Sequence, residues 1–441
     1  VLGAAAALAT EPAPVVLNDD GAWCWFQDER ALVCGSTLVV GSVANGTHDS
    51  QRRGDIEIAT YDFDTGRIAR SELHDQLEAD DHAAPALWRR PDGHLLAVYS
   101  KHGPEAHYYC RQTEIPGDYT RWQAAATFSP SPTSRITYSN LHFLAAENGG
   151  RGRLYNLFRG LDNTFKPSFA WSDDHGSSWN CGNVLIDVPS EFRHRPYVKY
   201  ASDGHETIHM LYTEGHPRDF DNSVYHVYYR GGQLFRSDGA LIGPLELGLR
   251  SPDEGTCVFR GNADNVAWVS DLHLDPVGRP YAVFSVQKNS AGLEPSDPEC
   301  GQDHRYRYAW WDGSQWHDVE IAYAGSRLYR GEDDYTGNLC LDPDRLDTVY
   351  VSANVDPEMG MPLVSMADGL RHYEIYRGTT ADRGLTWQWE AITRDSRVDN
   401  LRPIVPQRDG GRTALLWYRG QYRTYRDYQT EVVALPLPPS P

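Results

Sequence analysis

Two histidines, an arginine and several acids stand where apolar strands give way to polar residues, and chemistry is sought there first. His82 lies in Asp80-Asp81-His82-Ala83-Ala84-Pro85, and His102 closes Tyr99-Ser100-Lys101-His102. Arg159 ends Leu157-Phe158-Arg159, and a fourth segment ends Thr213-Glu214-Gly215-His216-Pro217-Arg218. Imidazole, guanidinium and nearby phenols are what is needed to take a proton from a carbon beside a carboxylate, as in a uronic acid. A base removes the C5 proton, a cation neutralises the carboxylate so that enolate-like charge is tolerated, and an acid protonates the departing glycosidic oxygen. His or Tyr suits the base, Arg can clamp the carboxylate through two parallel N–H donors, and Tyr or His suits the acid. His94, His107 and His205, by contrast, read as structural or surface groups.

Glycoside hydrolysis is the competing chemistry and needs two opposed carboxylates. Asp80, Asp81, Glu332, Asp333 and Asp334 are candidates, but position singles out no pair. A sialidase would need three arginines around a substrate carboxylate. Arg159, Arg218 and Arg330 leave that open, although the early Arg-Ile-Pro run typical of sialidases is absent. A glycan-binding protein without catalysis is a third reading, resting on the aromatic content.

The elements that must position these groups repeat. A short strand rich in Val, Tyr, Phe and Leu recurs at residues 38–45, 95–102, 153–159, 207–216, 280–288, 348–356 and 414–419, in steps of about 63 residues, one-seventh of the 441-residue chain. Helical periodicity is nearly absent. Hairpin punctuation is frequent, at Asp92-Gly93, Asp203-Gly204, Asp238-Gly239, Asp312-Gly313 and Asp409-Gly410. Seven blades of four strands each fill the length, which predicts an all-β, seven-bladed β-propeller. Two segments fit the S/T-x-D-x-G-x-x-W turn called the Asp box, one from Ser172 to Trp179 and one from Thr380 to Trp387. The Asp can bind turn amides, the Gly permits the bend and the Trp packs beneath, so these turns predict fold and carry no catalytic role.

Composition narrows the partners. A formal net charge of -20 argues against nucleic acid, whose binding rests on Lys and Arg. An acidic polysaccharide remains compatible, because salt screens the body's field beyond roughly 8 Å and a cationic pocket can act locally. No apolar run reaches membrane-spanning length. Residues 1–14, beginning VLGAAAALAT, read as a signal-peptide remnant or a disordered start, and residues 15–437 as one catalytic propeller. The expected location is therefore secreted or periplasmic. Seven cysteines without a CxxC spacing define no disulfide framework.

The residues also carry a resemblance. Asp80-Asp81-His82 with His102 twenty residues on, Thr137-Tyr138-Ser139-Asn140, Leu157-Phe158-Arg159-Gly160 and Thr213–Arg218 together resemble the BNR-repeat, seven-bladed propeller polysaccharide lyases of the ulvan lyase and rhamnosyl-glucuronate lyase type. His304-Arg305-Tyr306-Arg307-Tyr308, Glu332-Asp333-Asp334-Tyr335-Thr336-Gly337 and Asp399-Asn400-Leu401-Arg402-Pro403 extend it over nearly the whole chain. The resemblance implies β-elimination at the 4-position of glucuronate or iduronate, leaving an unsaturated uronate. It implies that His82 and His102 flank the scissile bond, with His102 the favoured base, Tyr138 the acid or a partner in base duty, and Arg159 the carboxylate neutraliser. Arg218 and Arg330 become further substrate contacts. The Tyr138-to-Arg159 interval is long, and residues 147–153 read as a lengthened hairpin, which keeps Tyr155 as the alternative phenol. No cofactor is needed for this chemistry. Some relatives hold structural zinc or calcium, and Cys257, Cys300, His304 and Cys340 are the candidate soft ligands.

Overall fold

The computed structural model describes residues 13–187, 194–294 and 296–439, so the leader expected over residues 1–14 falls almost wholly outside them. Seven antiparallel sheets follow one another along the chain. Blades 1 to 6 span residues 31–74, 86–128, 137–184, 198–259, 265–325 and 339–391. Blade 7 takes three strands from residues 399–436, and its outermost strand, Val15–Asn18, comes from the other end of the chain and pairs Val15 with Ala434. The ring is thus closed by hydrogen bonds between the two ends of the sequence.

Within each blade the first strand faces the axis. The recurring apolar segment is the second strand, as in Leu95–Tyr99, Arg153–Arg159 and Ala414–Thr424. The repeat therefore marks the second strands and not those nearest the axis. Its cause is burial: a second strand has a partner at each edge and a neighbouring blade on each face, so its sequence is continuously apolar and not alternating. Leu95 to Tyr99 are all buried. Three first strands are only four residues long and others carry polar residues, so they recur less visibly.

Thr137 pairs with Arg159, so first strands begin where second strands end. The links between blades, including residues 75–85 and 19–30, arrive at that same face. The axis itself is packed. Phe26 stacks on Trp268 with ring centroids 4.2 Å apart, Trp25 lies 4.2 Å from Tyr335, and Tyr197 closes on both Phe26 and Trp268.

Both Asp boxes form the expected turn. Asp174 Oδ1 accepts from the Ser178 amide at 2.8 Å, and Asp382 Oδ1 from the Thr386 amide at 2.9 Å. The tryptophans reach across to the preceding blade: Trp179 meets Tyr108 of blade 2 edge-on, and Trp387 meets Tyr308 of blade 5. All seven cysteines are free thiols. No helix among the described residues is long and apolar enough to cross a membrane.

Candidate active site

The link from blade 1 to blade 2 makes a single turn over Asp81–Ala83, capped by Asp80, whose side chain accepts from the His82 amide. This tight turn brings His82 over the loop that follows Leu95–Tyr99, where His102 sits. The two imidazoles stack face to face, 3.8 Å between centroids and 8° from parallel. One carboxylate grips both rings: Asp80 Oδ1 accepts from His82 Nδ1 at 2.6 Å, and Asp80 Oδ2 from His102 Nδ1 at 3.1 Å. Asp81 Oδ1 lies 2.8 Å from the same His82 nitrogen. With both Nδ1 atoms committed, Nε2 is the nitrogen each ring has left for a substrate.

Two parallel imidazolium rings at this separation would repel, and the surroundings divide the charge between them. Burial opposes a charge on His82, but the carboxylates of Asp80 and Asp81, at 2.6 and 2.8 Å from its Nδ1, outweigh it and raise its pKa above the ordinary value. Burial and the His82 charge together push His102 down to about 4, against the pull of Asp80. Burial also opposes ionisation of Asp80, yet the two histidines hold its pKa below the usual range. His82 is therefore the cation and His102 the neutral ring with a free Nε2 lone pair.

Tyr138 tilts over this pair, 5.3 Å from His82 and 5.9 Å from His102. It stands at a bulge in Thr137–Leu144, with φ of 59°, a left-handed conformation costly for a bulky residue. Such bulges turn a side chain out of the strand's alternation. Asn140 secures this one by donating to the Tyr138 carbonyl at 3.0 Å. Burial raises the phenol's pKa well above 10, against the nearby Arg159 and His82, so it keeps its proton.

Arg159 lies with its guanidinium carbon 4.3 Å from the Tyr138 ring centre and 5.5 Å from that of Tyr197. It is only 5 % exposed, yet its Nε and Nη1 have no hydrogen-bond partner, and no carboxylate among the described residues pairs with it. A buried cation whose donors are unused fits an incoming anion. Gly160 sets its position: with φ of 107°, it passes so close to Arg135 that a Cβ would stand 1.9 Å from that carbonyl oxygen.

Several contributors went unassigned from sequence. Arg402, in a motif quoted for its resemblance only, donates to Asp81 Oδ2 at 2.7 Å and to the Trp23 carbonyl at 2.5 Å. Tyr422 donates to the same Asp81 oxygen at 2.5 Å. Arg402 repeats the Tyr138 device, a φ of 54° at a bulge near the start of a first strand. Tyr425, at a hairpin tip of blade 7, meets both imidazoles edge-on. Only the alternating Tyr and Arg of residues 418–426 could have flagged that hairpin.

Other expectations are met differently. Tyr155 is not at the site: its hydroxyl bonds Glu147 and Tyr229, each at 2.8 Å, between blades 3 and 4. Arg218 stands at the rim, clasped to Glu332 at 3.1 Å beside His216, whose ring lies 5.8 Å from Tyr197. Arg330 points outward and donates to the Ser296 carbonyl, so it does not join the cluster. The four proposed soft ligands are not gathered either. Cys257 is on an added strand of blade 4, and Cys300 and His304 are in blade 5, bonded to Gln287 and to the Gly325 carbonyl. Cys340 lies on the first strand of blade 6, and no ligand cluster among the described residues contains any of the four.

Residues 44–324 match the profile described as a BNR repeat-containing family member. No curated protein matches the sequence. Among solved structures, a polysaccharide lyase family 25 ulvan lyase bound to -[GlcA(1-4)Rha3S]- aligns with a TM-score of 0.66 at 13 % identity, covering 96 % of this chain and 98 % of that one. The same kind of ulvan lyase without that ligand gives 0.67 at 14 %, with 96 % and 98 % covered. Polysaccharide lyase Uly1 gives 0.56 at 11 %, with 93 % and 90 % covered. At these identities the likeness is one of fold, whereas the profile match runs through blades 1 to 5, and on it the chain belongs to the BNR repeat-containing family.

Proposed function

We propose that this propeller is a secreted or periplasmic polysaccharide lyase that cleaves rhamnosyl-uronate linkages by β-elimination. The observation that carries the reading is Arg159, a buried guanidinium with unused donors beside a phenol and a neutral imidazole. A uronate carboxylate seated there has its charge neutralised, which acidifies the C5 hydrogen. His102 Nε2 takes that proton, electrons move to form the C4–C5 double bond, and the C4–O bond breaks. Tyr138 gives its proton to the departing oxygen, and the cationic His82 stabilises the charge that builds on the carboxylate. The hydrolase alternative is disfavoured because the acids nearest the rings are occupied, Asp80 by both histidines and Arg426, Asp81 by Arg402 and Tyr422. Substrate of this type in the ulvan lyase complex supports the linkage class.

The test is turnover of glucuronate- and iduronate-bearing rhamnose polymers, followed by the ultraviolet absorbance of the unsaturated product. Wild type should generate it, and Arg159→Ala should lose at least ~10²-fold in kcat/KM. Full retention of turnover in that variant would overturn the assignment of Arg159. Glycan affinity without any turnover in wild type would point to a lectin.

A further inference from the structure

The axial channel has a second polar end. On the face away from the imidazole pair, where first strands terminate, a cavity of about 480 Å³ is lined by Glu29, His142, His273 and Arg408 among others. The aromatic packing of Trp25, Phe26 and Trp268 separates it from the site above. Glu29 and His273 stand at its inner wall with the buried Asp271 behind them, and the three bring one ligand atom each to within 4.8 Å of one another. His273 Nε2 lies 3.3 Å from Asp271 Oδ2 and 3.6 Å from Glu29 Oε1.

These groups lie within ion-pair distance of one another, with His273 the shared partner of both carboxylates. His273 Nε2 is shielded from solvent and has no partner in hydrogen-bond geometry. The Glu29 carboxylate accepts no hydrogen bond among the described residues. Asp271 is oriented by the Leu272 and Leu341 amides at 2.8 and 2.9 Å, one on each oxygen. Lys199, the nearby cation, is committed to the Gln27 carbonyl. Two carboxylates therefore face one imidazole with no further positive charge bonded to them.

We infer that Glu29, Asp271 and His273 form a divalent-cation site, best suited to zinc, at the axial end opposite the imidazole pair. One nitrogen and two carboxylate donors fit zinc, with the cavity side left open for water, whereas calcium asks for six or more oxygens. The ion would tie the first strand of blade 5 to the segment that enters blade 1. That segment also forms the floor of the upper site, since Gln27 donates to the His82 carbonyl at 2.9 Å and Trp23 accepts from Arg402.

Chelator-treated full-length protein titrated with zinc chloride tests this, with bound metal counted by elemental analysis and thermal unfolding followed in parallel. Wild type should bind zinc and unfold at a higher temperature with it. Glu29→Gln and His273→Gln should each weaken binding by at least ~10-fold, while their metal-free unfolding stays cooperative. His82→Ala, which removes the other imidazole cluster, should bind zinc as wild type does. Absence of zinc binding by wild type, or binding that survives Glu29→Gln and disappears in His82→Ala, would refute the site. A variant that loses cooperative unfolding is replaced by His273→Asn, for which the same two outcomes apply.

Discussion

At the scale of single residues, the site works by dividing charge between two like rings. Asp80 holds both imidazoles by Nδ1, and the charge settles on His82. The consequence is a pH profile. His102 is depressed to about 4, so kcat/KM should stay flat as pH falls through the ordinary imidazole value of about 6.5 and decline only toward pH 4. The sign is that of a base which must be neutral to act: a lower pKa moves its acid limb down. A pH-rate series checks this, and a limb centred near 6.5 contradicts it. Tyr138→Phe keeps the ring and removes the proton, so it should reduce kcat by at least ~10²-fold with little change in thermal stability.

At the scale of elements, the reactive side chains depend on irregular backbone. Bulges at the starts of first strands turn Tyr138 and Arg402, and Gly160 lets the chain pass Arg135. Gly160→Ala, which touches no reacting group, should therefore lower both stability and turnover, measured by thermal unfolding and the absorbance assay together. The Asp81–Arg402 pair is buried, at 0 % and 1 % exposure. Arg402→Met would leave Asp81 with only the His82 charge it shares with Asp80 and should cost about 3–5 kcal/mol, read by urea unfolding. Sequence revealed His102 and Arg159 because each stands at the end of an apolar second strand, a signal created by burial on both faces, and His82 because it lies just ahead of the strand that pairs with Leu95–Tyr99. It did not assign Arg402 or Tyr425. A bulge redirects the first, and the second sits on a hairpin tip, so no strand periodicity points to either. Four cysteine and histidine positions looked like ligands by residue type alone, but they lie on three different blades.

At the scale of the whole molecule, the ring is closed by Val15–Asn18 against blade 7. Val16→Pro would disrupt that closing strand, and the loss should appear as earlier, less cooperative unfolding. Seven-fold repetition and the two Asp boxes made the propeller legible from sequence. The plugged axis was not, because Trp25, Phe26, Tyr197, Trp268 and Tyr335 come from four separate stretches of chain and meet only in the folded ring. That plug separates the two axial ends, so on the proposed reading substrate is confined to the surface above the imidazoles. The central claim is that bonds to uronate are broken there by elimination, without water. Digestion in heavy-oxygen water tests this most directly. The account predicts absorbing products that contain no solvent oxygen, and one heavy oxygen incorporated for each bond cleaved would contradict it.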